Sequence, residues 1–236
     1  MPGLRGILTD PLLSVVMPCY NERETIETII DRVMAVPIRI ELIVVDDGST
    51  DGTRDLLTAL QARHGFQLIF QPKNAGKGSA LRRGFEDVTG DLVVIQDADL
   101  EYSPEEFPDL IELICQGRAD VVYGSRFLGR RRVFLFTHYA GNRLLTLITN
   151  ILYNTILTDM ETCYKVMRTD VLRSFALKSN GFGIEPELTA KIFKRDYRVY
   201  EVPITYDGRG YDEGKKITWR DGVVALWVLL KYRFTE

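Results

Sequence analysis

The sequence has few of the residues on which histidine-rich metal sites and disulfide-bonded folds depend. It contains two histidines and three cysteines in 236 residues. The cysteines form no C-x-x-C pair, which argues against a zinc ribbon or a disulfide framework and indicates a reducing compartment. The formal net charge of −3 lacks the basic excess of nucleic-acid-binding proteins, so no nucleic-acid partner is expected.

Long hydrophobic runs are also missing. No stretch reaches the roughly 18 uninterrupted apolar residues that a membrane-spanning helix needs. Residues 1–10 carry a single basic residue, Arg5, and no apolar core, so they do not resemble a signal peptide. We therefore expect a cytoplasmic protein that can contact the inner face of a membrane without crossing it.

The composition that remains is that of a folded globular chain, with 45% hydrophobic and 27% charged residues. We expect an N-terminal tail over 1–10, one α/β domain over 11–217 and an amphipathic C-terminal helix over 218–236. Two segments pair apolar with basic residues: 130–136, where three arginines precede Val-Phe-Leu-Phe, and the terminal helix. Such pairing suits an anionic membrane surface and predicts peripheral membrane contact, with core packing as the alternative for the helix.

Strand and helix patterns alternate through the first half of the chain. Strands are predicted at 12–17, 40–45, 66–70, 91–95 and 120–123. Helices are predicted at 53–63, 77–88 and 104–115, with a first helix capped by Asn21 and ending before Pro37. The second half predicts helices at 139–154, 185–195 and 219–232, strands at 162–167 and 197–202, and a glycine-rich charged loop at 205–216. This alternation predicts a mostly parallel sheet flanked by helices.

Polar residues cluster where four of the predicted strands end, at 18–22, 46–49, 97–101 and 124–126. Ligands of parallel α/β sheets bind at the carboxyl ends of the strands. Within the third cluster, Asp97, Asp99 and Glu101 alternate with Ala98 and Leu100. On an extended segment the three carboxylates would share one face, where their repulsion predicts a cation, and hard oxygen ligands select Mg²⁺ or Mn²⁺.

Five motifs in this order resemble the inverting family 2 glycosyltransferases, and more narrowly the dolichyl- or polyprenyl-phosphate sugar synthases. The motifs are Met-Pro-Cys-Tyr-Asn-Glu at 17–22, Val-Asp-Asp-Gly-Ser-Thr-Asp-Gly-Thr at 45–53, Asn-Ala-Gly-Lys-Gly at 74–78, Asp-Ala-Asp at 97–99 and Gly-Ser-Arg at 124–126. The resemblance implies a GT-A fold, a nucleotide diphosphate-sugar donor, a divalent cation and a polyprenyl phosphate acceptor.

The resemblance also implies roles for individual residues. Contacts to the nucleotide-sugar fall on Pro18, Tyr20, Glu22, Val45, Asp46, Asp47, Lys77, Asp97, Ala98, Arg209 and Lys215. The resemblance places a metal ligand on Asp99 and a metal contact on Glu101, where the family has Gln. The shared face of the three carboxylates adds Asp97 to the expected metal ligands. Arg209 and Lys215 match a cationic pair on a loop that closes over the diphosphate.

The acceptor side involves a separate set of residues. Arg126 and Arg143 are expected to hold the acceptor phosphate, and Asp99, Arg126 and Asp159 are the candidate catalytic residues. The segment Asp-Met-Glu-Thr-Cys-Tyr-Lys at 159–165 departs from the family pattern. If the acceptor is instead a hydroxyl, Asp159 or Glu161 is the candidate general base. The sequence leaves open the sugar, the base (UDP or GDP), the acceptor and the oligomeric state.

Overall fold

The computed structural model describes residues 6–132, 136–208 and 219–236. Its elements alternate through the first half and become irregular in the second, as the sequence predicts. The strands are β1 Leu13–Cys19, β2 Ile40–Asp46, β3 Gln67–Phe70, β4 Leu92–Ile95, β5 Val121–Ser125, β6 Lys165–Arg168 and β7 Val199–Pro203. The helices are α1 Ile26–Ala35, α2 Thr53–His64, α3 Lys77–Phe85, α4 Phe107–Cys115, α5 Phe136–Tyr153, α6 Thr169–Arg173, α7 Ile184–Phe193 and α8 Trp219–Phe234.

The seven described strands form one sheet in the order β3-β2-β1-β4-β6-β5-β7. Neighbouring strands pair in parallel except at β6, which is antiparallel to both β4 and β5. The prediction of a mostly parallel sheet flanked by helices is confirmed. A strand was predicted at 162–167, where β6 lies, but its antiparallel direction was not.

The central strands have the continuous apolar sequence of strands covered on both faces. Leu13, Val15, Val16 and Met17 of β1 are completely buried, and β4 is buried throughout. Each such side chain contributes roughly 1.5–3 kcal/mol relative to the exposed state, which makes this the centre of the core.

The antiparallel direction of β6 places the segment that precedes it at the edge of the sheet where the parallel strands end. Because β6 runs opposite to its neighbours, its first residue lies at the edge where β4 and β5 end. Residues 158–164 therefore pass along the carboxyl ends of the parallel strands. Helices α5, α7 and α8 pack against each other beside this segment.

Two local predictions were wrong, and one short helix was missed. Asn21 does not cap α1: Thr25 precedes that helix, and Asn21 has a positive φ of 53° and binds the loop after β2 instead. The short helix α6 was not predicted. Residues 97–101 form a turn, with Leu100 at φ 64°, and not an extended segment.

The C-terminal helix α8 is apolar on both sides. Ala225, Val228, Leu229 and Tyr232 are buried against the body of the protein, whereas Trp227 is 65% exposed. Within the described ranges, no helix is long and apolar enough to cross a bilayer. The arginine-aromatic segment at 130–136 falls partly outside those ranges.

Candidate active site

A cavity of about 880 Å³ opens at the carboxyl edge of the sheet. Its walls come from the segments after β1, β2, β4 and β5 and from α3, α5, α7 and α8. Most of the predicted site residues meet here: Pro18, Tyr20, Glu22, Asp47, Lys77, Asp97, Ala98, Asp99, Glu101 and Arg126. Strand ends that are far apart in the sequence thus supply one site, as the sheet topology requires.

Other predicted site residues do not line the cavity. Val45 is completely buried in the core, and the Asp46 carboxylate is used internally, accepting hydrogen bonds from Gly48 N at 3.1 Å and Arg54 Nε at 2.6 Å. Their side chains are therefore not placed to contact a nucleotide in this cavity. Arg209 and Lys215 lie outside the described residues, so their roles remain predictions.

The loop after β1 and the turn after β2 are held together by hydrogen bonds between side chains and the backbone. Asn21 Oδ1 accepts from Thr50 N at 2.9 Å, and Ser49 Oγ accepts from Asn21 N at 2.9 Å. These bonds fix the backbone on either side of Tyr20 and Asp47 without a ligand. The cavity wall is preorganised at this point.

Asp47 also fixes the start of α3. Its carboxylate accepts hydrogen bonds from Ala75 N at 2.8 Å and Gly76 N at 2.7 Å. Gly76 has φ 96°, and a Cβ there would lie 2.5 Å from Asn180 O, so only glycine fits. The glycines around Lys77 thus allow a close approach to the segment before α7, which aims Lys77 into the cavity.

The acidic turn at 97–101 does not bring the carboxylates of Asp97, Asp99 and Glu101 together, contrary to the prediction. Asp99 Oδ1 accepts from Glu101 N at 3.2 Å, and Glu101 Oε2 accepts from the Tyr206 hydroxyl at 2.7 Å. Burial, together with the charge of Glu101, raises the pKa of Tyr206, which keeps its hydroxyl protonated and donating. Across the described part of the chain, no group of three or more His, Cys, Asp or Glu side chains is arranged to hold a metal ion.

Lys77 is the cation that this acidic turn meets directly. Its Nζ lies 2.8 Å from Asp97 and 3.4 Å from Glu185 Oε1. Burial alone would lower the pKa of Lys77, but the charges of Asp97 and Glu185 raise it well above its ordinary value. The ammonium group therefore stays charged in the cavity wall.

Arg126 and Asp159 form a buried two-point ion pair. Arg126 Nε and Nη2 donate to the two carboxylate oxygens of Asp159 at 2.7 Å each, and the Arg126 backbone N–H adds a third bond at 3.0 Å. Asp159 is completely buried and does not line the cavity, whereas Arg126 does. This geometry makes Asp159 a positioning residue for Arg126, and does not fit the predicted role of general base.

A second buried ion pair, between Lys165 and Glu185 at 2.6 Å, includes a residue of the cavity wall, Glu185. Glu161 lines the cavity beside it, and burial raises the pKa of Glu161 to about 7. Of the two acidic residues predicted as bases, Glu161 is therefore the one that faces the cavity. Glu185 was not predicted as a site residue.

One part of the cavity wall, between α5 and α8, is apolar and is formed by Leu144, Leu145, Ile148, Val223 and Leu226. The same helices also contribute His138, Asn142 and Asp221 to the lining. Outside the cavity the same two helices expose Leu147, Ile151 and Trp227 to more than half of their full surface. Polar and apolar walls thus belong to one continuous cavity.

Three arginines surround the Phe127 ring beside this cavity. The guanidinium carbons of Arg126, Arg131 and Arg143 lie 5.9, 5.3 and 5.7 Å from its centroid. Arg143 is exposed and does not line the cavity, and its Nη1 donates to Thr158 O at 3.2 Å. The cluster places three positive charges next to the apolar wall.

Comparison with known proteins decides the family. Residues 14–175, more than half of the chain, match the glycosyl transferase family 2 model. The chain belongs to glycosyltransferase family 2.

Two relatives match most of the chain. It is 32% identical over 216 residues to the dolichol-phosphate mannosyltransferase of Pyrococcus furiosus, covering 86% of this chain and 58% of that protein. It is 30% identical over 210 residues to the polyprenol monophosphomannose synthase of Mycolicibacterium smegmatis, covering 83% and 77%. The chain thus spans little more than half the length of the Pyrococcus protein.

A solved structure supports the fold independently. Glucosyl-3-phosphoglycerate synthase from Mycobacterium tuberculosis, crystallised with Mn²⁺, UDP and phosphoglyceric acid, superposes with a TM-score of 0.75. The superposition covers 95% of this chain and 79% of that one at 24% identity, and it shows a shared GT-A fold. The fold prediction is confirmed.

The family 2 match ends before one side of the cavity begins. Helices α7 and α8 lie beyond residue 175, yet they contribute Glu185, Val223 and Leu226 to the cavity wall. Glu185 escaped sequence reasoning because α7 is buried all round and carries no amphipathic signal. The available signal was a glutamate directly before Pro186, after the glycine-rich stretch 181–183.

Proposed function

We propose that this chain transfers a hexosyl group from a UDP- or GDP-sugar to a polyprenyl phosphate, with inversion at the anomeric carbon. One observation carries the proposal. A single cavity joins a charged wall at the carboxyl edge of the sheet to an apolar wall between α5 and α8, and includes Arg126. A donor with a diphosphate and an acceptor with a phosphate on an apolar chain need these two walls together.

The charged wall fits the donor. Lys77 and Arg126 supply positive charge for phosphate oxygens, and Asp47, in the turn after β2, holds the start of α3 in place. Positive charges of this kind stabilise the negative charge that develops on a departing diphosphate. The two relatives named above are a dolichol-phosphate mannosyltransferase and a polyprenol monophosphomannose synthase, which supports a donor and acceptor of these classes.

A divalent cation, Mg²⁺ or Mn²⁺, fits the acidic turn. Asp97 and Asp99 both line the cavity and supply hard oxygen donors, with Glu101 in the same wall. Mg²⁺ is ordinarily held by one or two carboxylates together with substrate phosphates, so a ready-made group of three carboxylates is not required. When bound, the cation would neutralise diphosphate charge.

The acceptor side needs cations and no base. A phosphate monoester is already ionised near neutral pH, so the attacking oxygen carries its own charge. Arg126, held in place by Asp159, is the group that faces the cavity, and Arg143 adds charge beside it. The exposed apolar side of α5 and α8 with its arginines suits the surface of an anionic membrane, and we place the reaction at the cytoplasmic face. Among the described residues, Cys19, Cys115 and Cys163 form no disulfide bond.

One observation favours a second candidate, a transferase acting on a hydroxyl acceptor. Glu161 faces the cavity with a pKa raised to about 7, the range that suits a general base at neutral pH. A sugar or small metabolite could then be the acceptor.

The test is transfer of radiolabelled sugar from UDP- and GDP-hexoses, with Mn²⁺ or Mg²⁺, into an organic-extractable prenyl phosphate. We expect label in the lipid, and a loss of at least about tenfold for Arg143→Ala, the scale of one charged contact. Arg118→Ala is the matched control, because Arg118 is also exposed and also lies over an aromatic ring, that of Tyr200. Label in water-soluble acceptors alone would support the hydroxyl-acceptor candidate.

A further inference from the structure

Glu161 carries a buried oxygen that lacks a partner. Its Oε1 is inaccessible and has no hydrogen-bond partner among the described residues, although the side chain lines the cavity. Leaving such an atom unpaired costs about 1–3 kcal/mol, and more for a charged carboxylate than for a neutral acid, so the buried oxygen favours a protonated side chain at the cavity wall.

The charges around Glu161 already balance without it. Lys165 is paired with Glu185, and Arg126 is paired with Asp159, and these are the four groups whose charges act on Glu161. On the other side of the cavity Lys77 is paired with Asp97. An ionised Glu161 would add one uncompensated negative charge at a buried site, which favours the neutral acid. Its pKa, raised by burial to about 7, agrees with this balance.

We propose that Glu161 binds the acceptor phosphate as a neutral carboxylic acid, donating its O–H to a phosphate oxygen, so that acceptor binding is coupled to proton uptake. The inference rests on the proposed function, because it requires a phosphate monoester beside Arg126. A phosphate there disfavours a neighbouring carboxylate and stabilises its protonated form, since only the acid has a proton to donate. The proton comes from solvent and returns when the product leaves.

This role and that of a general base predict opposite pH dependences. A neutral donor acts while Glu161 is protonated, so the acceptor kcat/KM falls as pH rises through the pKa of Glu161. A general base acts while Glu161 is ionised, so the acceptor kcat/KM rises through the same range. A merely structural Glu161 gives neither slope.

Calorimetry measures the coupled proton directly. A ten-carbon prenyl monophosphate is titrated into the protein at pH 8 with UDP and Mn²⁺ present, in two buffers of different ionisation enthalpy. We expect the wild type to take up close to one proton more than Glu161→Gln, because Glu161 is mostly ionised before binding at this pH. Glu24→Gln, an exposed carboxyl outside the cavity, is the control and should match the wild type. A titration with inorganic phosphate in place of the lipid shows whether the phosphate group alone causes the proton uptake. Proton uptake on binding inorganic phosphate also supports the proposal.

Kinetics provide a second test on the same variants. The kcat/KM for the prenyl phosphate is measured for Glu161→Gln and for the wild type, and the first is divided by the second. Because the phosphate ionises equally in both measurements, its ionisation cancels in this ratio. We expect the ratio to rise about tenfold from pH 6 to pH 8. A flat ratio, or equal proton uptake, would overturn the role of Glu161 while leaving the lipid acceptor intact. Loss of transfer in Glu161→Gln with a wild-type rate that rises with pH would identify a base. Failure of the wild type to label any prenyl phosphate would instead contradict the proposed function.

Discussion

Lys77 Nζ bridges Asp97, at 2.8 Å, and Glu185 Oε1, at 3.4 Å, and so joins the acidic turn after β4 to helix α7. The ammonium group contacts the carboxylate of Asp97, which the sequence analysis assigned to a metal. A divalent cation that uses Asp97 must therefore compete with Lys77, which a nucleotide diphosphate can attract away.

Lys77→Met should consequently change the affinities for two ligands, a nucleotide diphosphate and Mn²⁺, in opposite directions. Affinity for UDP or GDP should fall about 10–100-fold, the range for losing one charged hydrogen bond. Affinity for Mn²⁺ without nucleotide should rise, because Asp97 loses its internal cation. Isothermal titration with each ligand checks both signs, and Lys73→Met, an exposed lysine on the neighbouring loop, is the control. A parallel loss of both affinities would show that Lys77 supports the metal site and does not compete with it.

Asp99 should be required for turnover more than for folding. We expect Asp99→Asn to lower kcat at least ~10²-fold, as for removal of a fixed electrostatic contact to the transition state, with little change in melting temperature. The rate is measured with saturating Mn²⁺ and compared with Asp55→Asn, an exposed carboxylate on α2. Near-normal turnover in Asp99→Asn would remove this residue from the metal and catalytic assignments.

Asp159→Ala should destabilise the protein and weaken acceptor binding together. Removing one partner of a buried ion pair costs about 3–5 kcal/mol, because Arg126 is left buried and unpaired. Urea unfolding measures the loss, and the acceptor KM should rise at a temperature where the variant is folded. Asp120→Ala is a matched control, since it breaks the Arg198 pair at the opposite edge and should destabilise without raising KM. A stable Asp159→Ala with an unchanged KM and a lost pH-dependent kcat would restore its role as a base.

The exposed apolar side of α5 and α8 should bind anionic vesicles. Trp227→Glu places a charge in this surface, and we expect several-fold weaker sedimentation with vesicles that contain phosphatidylserine, with unchanged hydrolysis of the nucleotide-sugar. Binding by the wild type should also weaken as salt rises. Ile7→Glu, at an exposed apolar residue outside these helices, is the control. Equal loss in both variants would argue against a specific membrane surface.

Glu161 should also make stability depend on pH. Its pKa is about 7 in the folded protein and near its ordinary value of 4.5 when unfolded, so the folded state binds the proton more tightly. The stability that this supplies is fully present below about pH 4.5 and is lost as pH rises through about 7. Glu161→Gln should therefore melt at a higher temperature relative to the wild type at pH 8 than at pH 5. An equal difference at the two pH values would mean that Glu161 titrates normally.

Much of the fold and the donor side of the site followed from sequence alone, because the responsible signals are local. Apolar runs ended by polar clusters at 18–22, 46–49, 97–101 and 124–126 identified parallel strands and the edge where they end. The cavity brings Tyr20, Asp47, Asp97 and Arg126 together as predicted, since the carboxyl ends of parallel strands share one edge whatever the loops do. The metal assignment named residues that line the cavity but relied on an extended segment where the chain makes a turn.

The acceptor side depended on contacts between distant segments. The reversed direction of β6 carries Asp159 and Glu161 past the ends of β4 and β5, and no local pattern encodes the direction of a four-residue strand. Asp159 and Glu161 are two residues apart in one motif, yet one is buried against Arg126 and the other faces the cavity. Burial and neighbouring charges make Asp159 a positioning residue and Glu161 a titratable group. These surroundings form only when α5, β6 and α7 pack together.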